Sequence, residues 1–158
     1  MFEHLLVPLD GSRFGSQAVR YAIEVAIHFD AEITLLQAVK PATPIVVSPS
    51  VASPSIADMA TQTAFIEDKR NVSRAKRYLS KKAREIRAQN IKTEFHTIVG
   101  EAAQSIKEFA DKKHIDLVIM SSRGKNVVKR AIMGSVADKV VRESGKPVLV
   151  IRPQTGGR

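Results

Sequence analysis

Short apolar segments alternate with amphipathic segments along most of the chain. His4 to Leu9 is a mostly apolar run that closes on a proline, an aspartate and a glycine, which is typical of a buried strand followed by a sharp turn. From Arg13 to Phe29 apolar residues recur every three to four positions, which predicts a helix with Ser12 as its N-cap. Glu32 to Val39 is a second apolar segment. The order strand, helix, strand predicts a βαβ unit and a parallel sheet.

The remaining segments continue this alternation. The periodicity predicts a long helix from about Thr61 to Gln89. The next elements are a strand over Ile91 to Val99, a helix over Glu101 to Lys113, a strand over Ile115 to Met120, a helix over Ser135 to Glu143 and a strand over Val148 to Ile151. Right-handed crossovers between such elements give a doubly wound α/β sheet, which binds ligands at the carboxyl ends of its strands.

The length of 158 residues, of which 44% are hydrophobic, fits one compact domain with one buried core. We expect this domain to span residues 1–153 and to be followed by a flexible tail over 154–158. Between Pro41 and Asp58 the chain holds four prolines and no regular periodicity. The segment 41–60 is therefore predicted to be a long loop or a mobile flap.

Composition excludes several classes of chemistry. The chain has no cysteine, which excludes disulfides, thiolate catalysis and cysteine-based zinc sites. No apolar run reaches the roughly 18 to 20 residues of a membrane span, and the start lacks the features of a secretion signal, so we expect a cytoplasmic protein. The net charge of +9 favours anionic partners without selecting among them.

One constellation of residues suits a phosphate group. The stretch Met120-Ser121-Ser122-Arg123-Gly124-Lys125-Asn126 leaves the end of an apolar strand, and nine residues separate Gly124 from Gly134-Ser135-Val136 at the start of a helix. A helix start offers unpaired N–H groups and the positive end of a dipole, and glycines let the backbone approach an anion closely. The alternative is that Ser135 only caps its helix and Gly124 only forms a tight turn.

The same motifs resemble the universal stress protein family, whose ATP-binding signature is G-x-x-G, nine residues, then G-S/T. The resemblance extends along nearly the whole chain, except for the 41–60 segment. The further matching segments are His4 to Ser12, Leu35 to Val39, Val99 to Ala102 and Gly145 to Val150.

This resemblance implies a five-stranded parallel sheet of order 3-2-1-4-5, a homodimer through the last strand (Val148 to Ile151), and ATP across the ends of the first, second and fourth strands. It implies that Pro8, Leu9 and Asp10 lie beside the nucleotide, with Asp10 near the ribose or a phosphate-bound Mg²⁺, and that Ala38 and Val39 contact adenine. The residues implied to hold the phosphates and ribose are Met120, Ser121, Ser122, Arg123, Gly124, Lys125, Asn126, Gly134, Ser135 and Val136. AMP, ADP or a cyclic nucleotide are alternative ligands.

Two positions depart from the family pattern. Ser121 stands where the signature has its first glycine, and Gln37 stands where the family often has histidine. The Cβ and hydroxyl of Ser121 either crowd the sugar or phosphate or donate a hydrogen bond to it. The nucleotide itself is therefore a prediction to be tested.

Other chemical signals are weak. Gly124-Lys125 is not a P-loop, because Asn126 replaces the required Ser or Thr and Ile119 the earlier glycine. The four histidines show no metal-binding spacing, and Asp10 alone is too few ligands to hold Mg²⁺ without phosphates. No nucleophile motif is present. The sequence predicts binding with little or no turnover, at most a weak ATPase.

The long helix supports an alternative function, because it carries many cations: Lys69, Arg70, Arg74, Lys76, Arg77, Lys81, Lys82, Arg84 and Arg87. Such a surface would suit a nucleotide-free interaction protein that binds acidic partners or nucleic acid by electrostatic attraction. Aromatic residues are only 5% of the chain and no nucleic-acid module is recognisable, so nucleic acid is the less favoured partner.

Overall fold

The computed structural model describes residues 1–42, 54–123 and 133–153, and no side chains over 54–57. Five strands and four helices alternate along these residues. In chain order they are β1 (His4–Pro8), α1 (Gln17–Phe29), β2 (Glu32–Val39), α2 (Pro54–Arg87), β3 (Thr93–Val99), α3 (Ala102–Lys112), β4 (Leu117–Ser121), α4 (Ser135–Glu143) and β5 (Val148–Ile151).

The strands form one sheet of order β3-β2-β1-β4-β5, which confirms the predicted order. All of its neighbours are parallel, with Val7 opposite Leu35 and Met120 opposite Val150. Strand β1 lies at the centre, flanked by β2 and β4, and its interior residues are fully buried, as expected for a strand covered on both faces. Strand β5 is an edge of the sheet.

The two faces of the sheet carry separate apolar cores, because successive side chains of a strand point to opposite faces. Leu5 and Val7 of β1 pack with residues of α1 and α2, among them Leu79, which is fully buried. Leu6 packs on the opposite face with residues of α3 and α4, among them Ile106. The carboxyl ends of β1, β2 and β4 therefore open between these helical layers.

Two helix starts differ from the predictions. Helix α1 begins at Gln17 and its N-cap is Ser16, so the prediction of Ser12 as N-cap was wrong. The Ser12 hydroxyl instead accepts a hydrogen bond from the Gly15 N–H (2.9 Å), within a tight turn that precedes the helix. Helix α2 begins at Pro54 rather than near Thr61. Proline fits a first helical turn because that turn requires no N–H donor. The last part of the predicted 41–60 loop is therefore a correction: from residue 54 it is helical. Residues 43–53 lie outside the described residues.

The start of α3 depends on a single carboxylate. Glu101 is the N-cap, and its side chain accepts hydrogen bonds from the N–H groups of Ala103 (3.2 Å) and Gln104 (2.8 Å). The bond from Gln104 is the main cause that holds the pKa of Glu101 below its ordinary value, and it outweighs the opposing effect of burial. The fold thus contains a cap whose strength depends on pH.

We expect Glu101→Ala to lower the free energy of unfolding by about 1 kcal/mol at neutral pH, because two N–H groups lose their acceptor. A carboxylate with a depressed pKa in the folded state contributes its full stability above the unfolded pKa and loses it as the pH falls through the folded value. Urea unfolding at about pH 7 and about pH 3 should therefore show that the wild type and Glu101→Ala differ less in free energy of unfolding at the lower pH. Glu67→Ala, at an exposed position within α2, is the control. If both variants lose the same free energy of unfolding, or if the loss in Glu101→Ala does not depend on pH, Glu101 is not the stabilising cap of α3.

Candidate functional site

A cleft of about 630 Å³ lies at the carboxyl ends of β1, β2 and β4. Its walls are completed by one side of α2, the first turns of α3 and the start of α4. It brings together every predicted site residue that the structure describes: Pro8, Leu9, Asp10, Ala38, Val39, Met120, Ser121, Ser122, Arg123, Gly134, Ser135 and Val136. Gly124, Lys125 and Asn126 lie outside the described residues. The part that each of these residues plays towards a ligand stays a prediction.

The turn after β1 holds Asp10 in the cleft wall. Its Oδ1 accepts a hydrogen bond from the Ser12 N–H (2.9 Å). Gly15 follows closely, and a Cβ added there would lie only 2.5 Å from Asp10 Oδ1. The carboxylate therefore occupies space that any side chain at position 15 would take.

The start of α4 offers an anion site. Its N-cap is Gly134, in an extended conformation and without a side-chain cap among the residues that the structure describes. The N–H of Gly134 donates to the carbonyl of Ser122 (2.7 Å), which ties the helix start to the end of β4. Ser135 is thus not the cap, so the interpretation that it only caps this helix was wrong. This first turn lines the cleft with the positive end of the helix dipole, which favours an anion.

The turn after β4 is closely packed. Ser121 is buried, and its Oγ accepts a hydrogen bond from the N–H of Arg123 (3.3 Å). Arg123 is also buried, with its guanidinium carbon 5.8 Å from the ring centre of Phe14. The hydroxyl of Ser121, which replaces a glycine of the family signature, is therefore used locally as an acceptor for the backbone of its own turn.

Helix α2 forms a wall of the cleft that was not predicted from the sequence. Asn71, Arg74, Ala75 and Tyr78 line the cleft. They follow one another at intervals of three, one and three residues, which places them on one face of the helix. This periodicity is visible in the sequence, but Arg74 was counted there among the cations of a basic surface. Only the tertiary structure lays this face of the helix over the strand ends.

Two buried polar atoms of the cleft lack hydrogen-bond partners among the described residues. They are Oε1 of Gln37, on β2, and the hydroxyl of Tyr78. Burial, followed by the negative charges of Asp10 and Glu85, raises the pKa of Tyr78 to about 12, so its hydroxyl stays protonated at neutral pH. Buried polar groups without partners are costly, and a polar ligand in this cleft would supply what they lack.

Other features of the described chain add no second centre of this kind. Within residues 1–42, 54–123 and 133–153, no three His, Asp or Glu side chains lie close enough to hold a metal ion, and no helix is long and apolar enough to cross a membrane. The cations of α2 are mostly exposed. Two of them have contacts within the helix: Lys69 lies over the ring of Phe65, and Lys82 pairs with Glu85.

Comparison with known proteins identifies a family. The family model described as the universal stress protein family matches residues 1–152. Universal stress protein MJ0531 of Methanocaldococcus jannaschii is 30% identical over 152 residues, which cover 96% of this chain and 83% of that protein. Universal stress protein YxiE of Bacillus subtilis is 30% identical over 155 residues, which cover 96% of this chain and 100% of that protein.

Solved structures share the fold at lower identity. The hypothetical protein MJ0577, also of Methanocaldococcus jannaschii, superposes with a TM-score of 0.81 at 22% identity over 99% of both chains. A universal stress protein in complex with cAMP gives 0.60 at 22% identity, over 97% of this chain and 98% of that one. The universal stress protein from Archaeoglobus fulgidus in complex with dAMP gives 0.60 at 19% identity, over 96% and 98%.

Proposed function

The chain belongs to the universal stress protein family, and from this premise we propose that it is a regulatory protein that binds an adenine nucleotide, ATP in the first place, with little or no turnover. The observation that carries the proposal is the cleft. Within the part of the chain that the structure describes, it combines a helix start without a side-chain cap, a carboxylate held by its own turn and buried polar atoms without hydrogen-bond partners, at the carboxyl ends of three adjacent strands. Two structures of the same fold hold cAMP and dAMP, which supports the adenine nucleotide class.

Each part of the nucleotide has a matching part of the proposed site. The end of β2, at Ala38 and Val39, contacts the adenine. Asp10 lies near the ribose or near a Mg²⁺ ion that the phosphates bring with them, because one carboxylate supplies too few ligands by itself. The first turn of α4 holds the phosphates through its N–H groups and Ser135. Gly124, Lys125 and Asn126 belong to the same proposed phosphate site.

Little or no turnover is proposed because phosphoryl transfer to water needs a positioned nucleophile and charge stabilisation at the leaving phosphate. The groups described here are suited to bind and orient a nucleotide, and the sequence contains no nucleophile motif. ADP, AMP and cyclic nucleotides fit the same chemistry with fewer phosphate contacts. They are the alternative ligands of the site.

We expect calorimetric titration with ATP to give saturable heat, and ATP to bind about tenfold more tightly than adenosine, because only the triphosphate reaches the start of α4. The titration is repeated with and without Mg²⁺, and with ADP, AMP, cAMP and GTP. Mass spectrometry of small molecules released on denaturation gives an independent measure of what the purified protein carries. The absence of heat with every adenine nucleotide at about millimolar concentration would rule the proposal out.

Two further statements about this protein stay predictions. One is a homodimer formed through β5, an edge strand on which Leu149 is exposed. The other is a cytoplasmic location. The exposed cations of α2 favour anionic partners in general and select none of them, so we propose no nucleic-acid function.

A further inference from the structure

Helix α2 is longer than the strands it covers. Its 34 residues span about 51 Å, whereas the eight residues of β2 and the seven of β3 span about 26 Å and about 23 Å. The end of the helix lies beside the start of β3, where Arg87 Nε donates to the carbonyl of Thr93 (2.9 Å). Asp68 lies beside the chain just beyond the end of β2, where its Oδ1 accepts from the Ala42 N–H (2.7 Å). The part of α2 before Asp68 therefore extends past the carboxyl edge of the sheet.

Large apolar side chains are exposed on this extension. Met59 is 67% exposed, Phe65 59% and Ile66 50%, and all three lie outside the cleft lining. Met59 and Ile66 are seven residues apart, close to two helical turns, so they lie on the same side of the helix. The spacing places this side opposite Leu79 and Ile86, which are buried in the core. Exposed apolar side chains that cluster in this way indicate an interaction surface.

Cations share this side of the helix. Arg70 and Arg77 follow Ile66 by four and eleven residues, close to one and three full turns. Lys69 lies over the ring of Phe65, with its Nζ 4.4 Å from the ring centre. Ile66, Lys69, Arg70 and Arg77 border one shallow depression. The outer face of α2 is the name used below for the surface formed by Met59, Phe65, Ile66, Lys69, Arg70 and Arg77.

The charge around this face is positive. Between residues 58 and 77 the helix carries five cations and three carboxylates, a net charge of +2 in a chain whose own net charge is +9. One of the three carboxylates, Asp68, accepts the Ala42 N–H beside the sheet. A partner of this face must therefore offer negative charge and also receive apolar side chains.

An anionic lipid surface offers both. Apolar side chains of a helix that lies in the interface enter the boundary between head groups and acyl chains, while lysine and arginine keep their charged ends at the level of the lipid phosphates. A nucleic acid would attract the cations through its phosphates but would leave Met59 and Ile66 in water. We propose that the outer face of α2 docks this protein peripherally on an anionic membrane surface. Docking here requires no nucleotide, so it goes beyond the proposed function.

The test is co-sedimentation of the full chain, without nucleotide, with lipid vesicles. Two compositions are compared: pure phosphatidylcholine, and phosphatidylcholine with about 30% phosphatidylglycerol, which supplies the negative charge. At about 50 mM salt we expect the anionic vesicles to bind the protein at least about tenfold more strongly. Binding should weaken as salt is added, because the ions screen the attraction between the cations and the lipid phosphates.

Two substitutions separate the apolar from the cationic contribution. Ile66→Gln removes an inserted side chain and Arg70→Gln removes a cation, and glutamine keeps a good helix former at both exposed positions. We expect each to weaken binding to the anionic vesicles about fivefold. Ile27→Gln and Arg20→Gln are the matched controls, because Ile27 and Arg20 are exposed on α1 and are also seven residues apart. These two should bind as the wild type does.

Tryptophan fluorescence reports insertion directly, because the chain contains no tryptophan. Ile66→Trp places a single indole on the outer face of α2, and its emission should shift to the blue when anionic vesicles are added, because the ring leaves water for the interface. Ile27→Trp is the control on α1. Its emission should not shift.

The possible results separate the membrane from other partners. A loss confined to the α2 variants, together with a blue shift at position 66 alone, supports membrane docking. No binding to the anionic vesicles at low salt disproves it, and so does an equal loss in the α1 variants. Wild-type binding by Ile66→Gln, or no blue shift at position 66, would mean that charge alone attracts the protein and would overturn the proposal. Tighter binding to duplex DNA that Ile66→Gln leaves unchanged would assign this face to nucleic acid instead.

Discussion

Gly134→Asp is expected to weaken ATP binding by about 100-fold while the domain stays folded. Gly134 is the N-cap of α4 and has φ −65° and ψ 149°, a conformation open to every residue type. Aspartate is among the most favoured N-caps, so the substitution preserves or stabilises the helix start. The same side chain places a negative charge where the phosphates of ATP would bind. At about 5 Å and an effective dielectric of about 20, that repulsion is roughly 3 kcal/mol, or about two powers of ten in affinity.

Gly134→Asn separates the charge from the size of this side chain. Asparagine has nearly the same volume and caps helices about as well, but it is neutral. We expect Gly134→Asn to lose much less ATP affinity than Gly134→Asp. We also expect Gly134→Asp to lose less affinity for adenosine, which has no phosphate, than for ATP. Thermal unfolding checks that both variants are folded. Wild-type ATP affinity in a folded Gly134→Asp protein would remove the start of α4 from the proposed site.

Gly15→Ala is expected to lower stability by about 1–3 kcal/mol and to weaken nucleotide binding at least tenfold. The added Cβ would lie 2.5 Å from Asp10 Oδ1 and 3.2 Å from Ser12 Oγ, both of which hold the turn after β1 through hydrogen bonds. The short aspartate side chain cannot move without leaving the Ser12 N–H. The substitution therefore displaces the carboxylate that the proposal places beside the sugar.

Gly145→Ala is the control for a glycine substitution that destabilises the protein by other means. Gly145 has φ +63° and nothing within 4 Å of an added Cβ, so alanine introduces backbone strain but no clash. It should reduce stability and leave ATP affinity unchanged. A double-mutant cycle with Asp10→Ala supplies the second check. If Gly15→Ala weakens ATP binding as much without the Asp10 side chain as with it, displacement of that carboxylate is not the cause.

The fold was predictable because its signals are local and repeated. Each strand is a short apolar run, and the alternation with helical periodicity leaves few arrangements other than a parallel sheet with right-handed crossovers. The order of the five strands came from the family resemblance, and the structure confirms it. Helix starts were harder to predict. Ser12 is a residue type that caps helices well, yet its side chain bonds within the turn that follows Asp10. Pro54 was assigned to a loop, although proline suits a first helical turn.

The residues of the candidate site were also predicted only in part. The ends of β1 and β4 and the start of α4 were predictable, because sheets of this class bind ligands at their carboxyl edge and because the glycines and serines of the signature mark the helix start. Ala38 and Val39, at the end of β2, came from the family resemblance. The wall from α2 was not predictable, since nothing in the residues from Asn71 to Tyr78 indicates which part of the sheet they cover. The predicted and the observed cleft residues therefore differ because packing between residues far apart in the chain places α2 at the cleft.

The sequence by itself determined the sheet, the alternating helices and the cluster of residues suited to a phosphate at one helix start, because these depend on periodicity and local backbone chemistry. Only the tertiary structure decided that α2 lies over the strand ends, that the hydroxyl of Tyr78 is buried there with no hydrogen-bond partner among the described residues, and that Gly15 leaves space for the Asp10 carboxylate. Those facts depend on contacts between residues far apart in the chain, which no local pattern encodes.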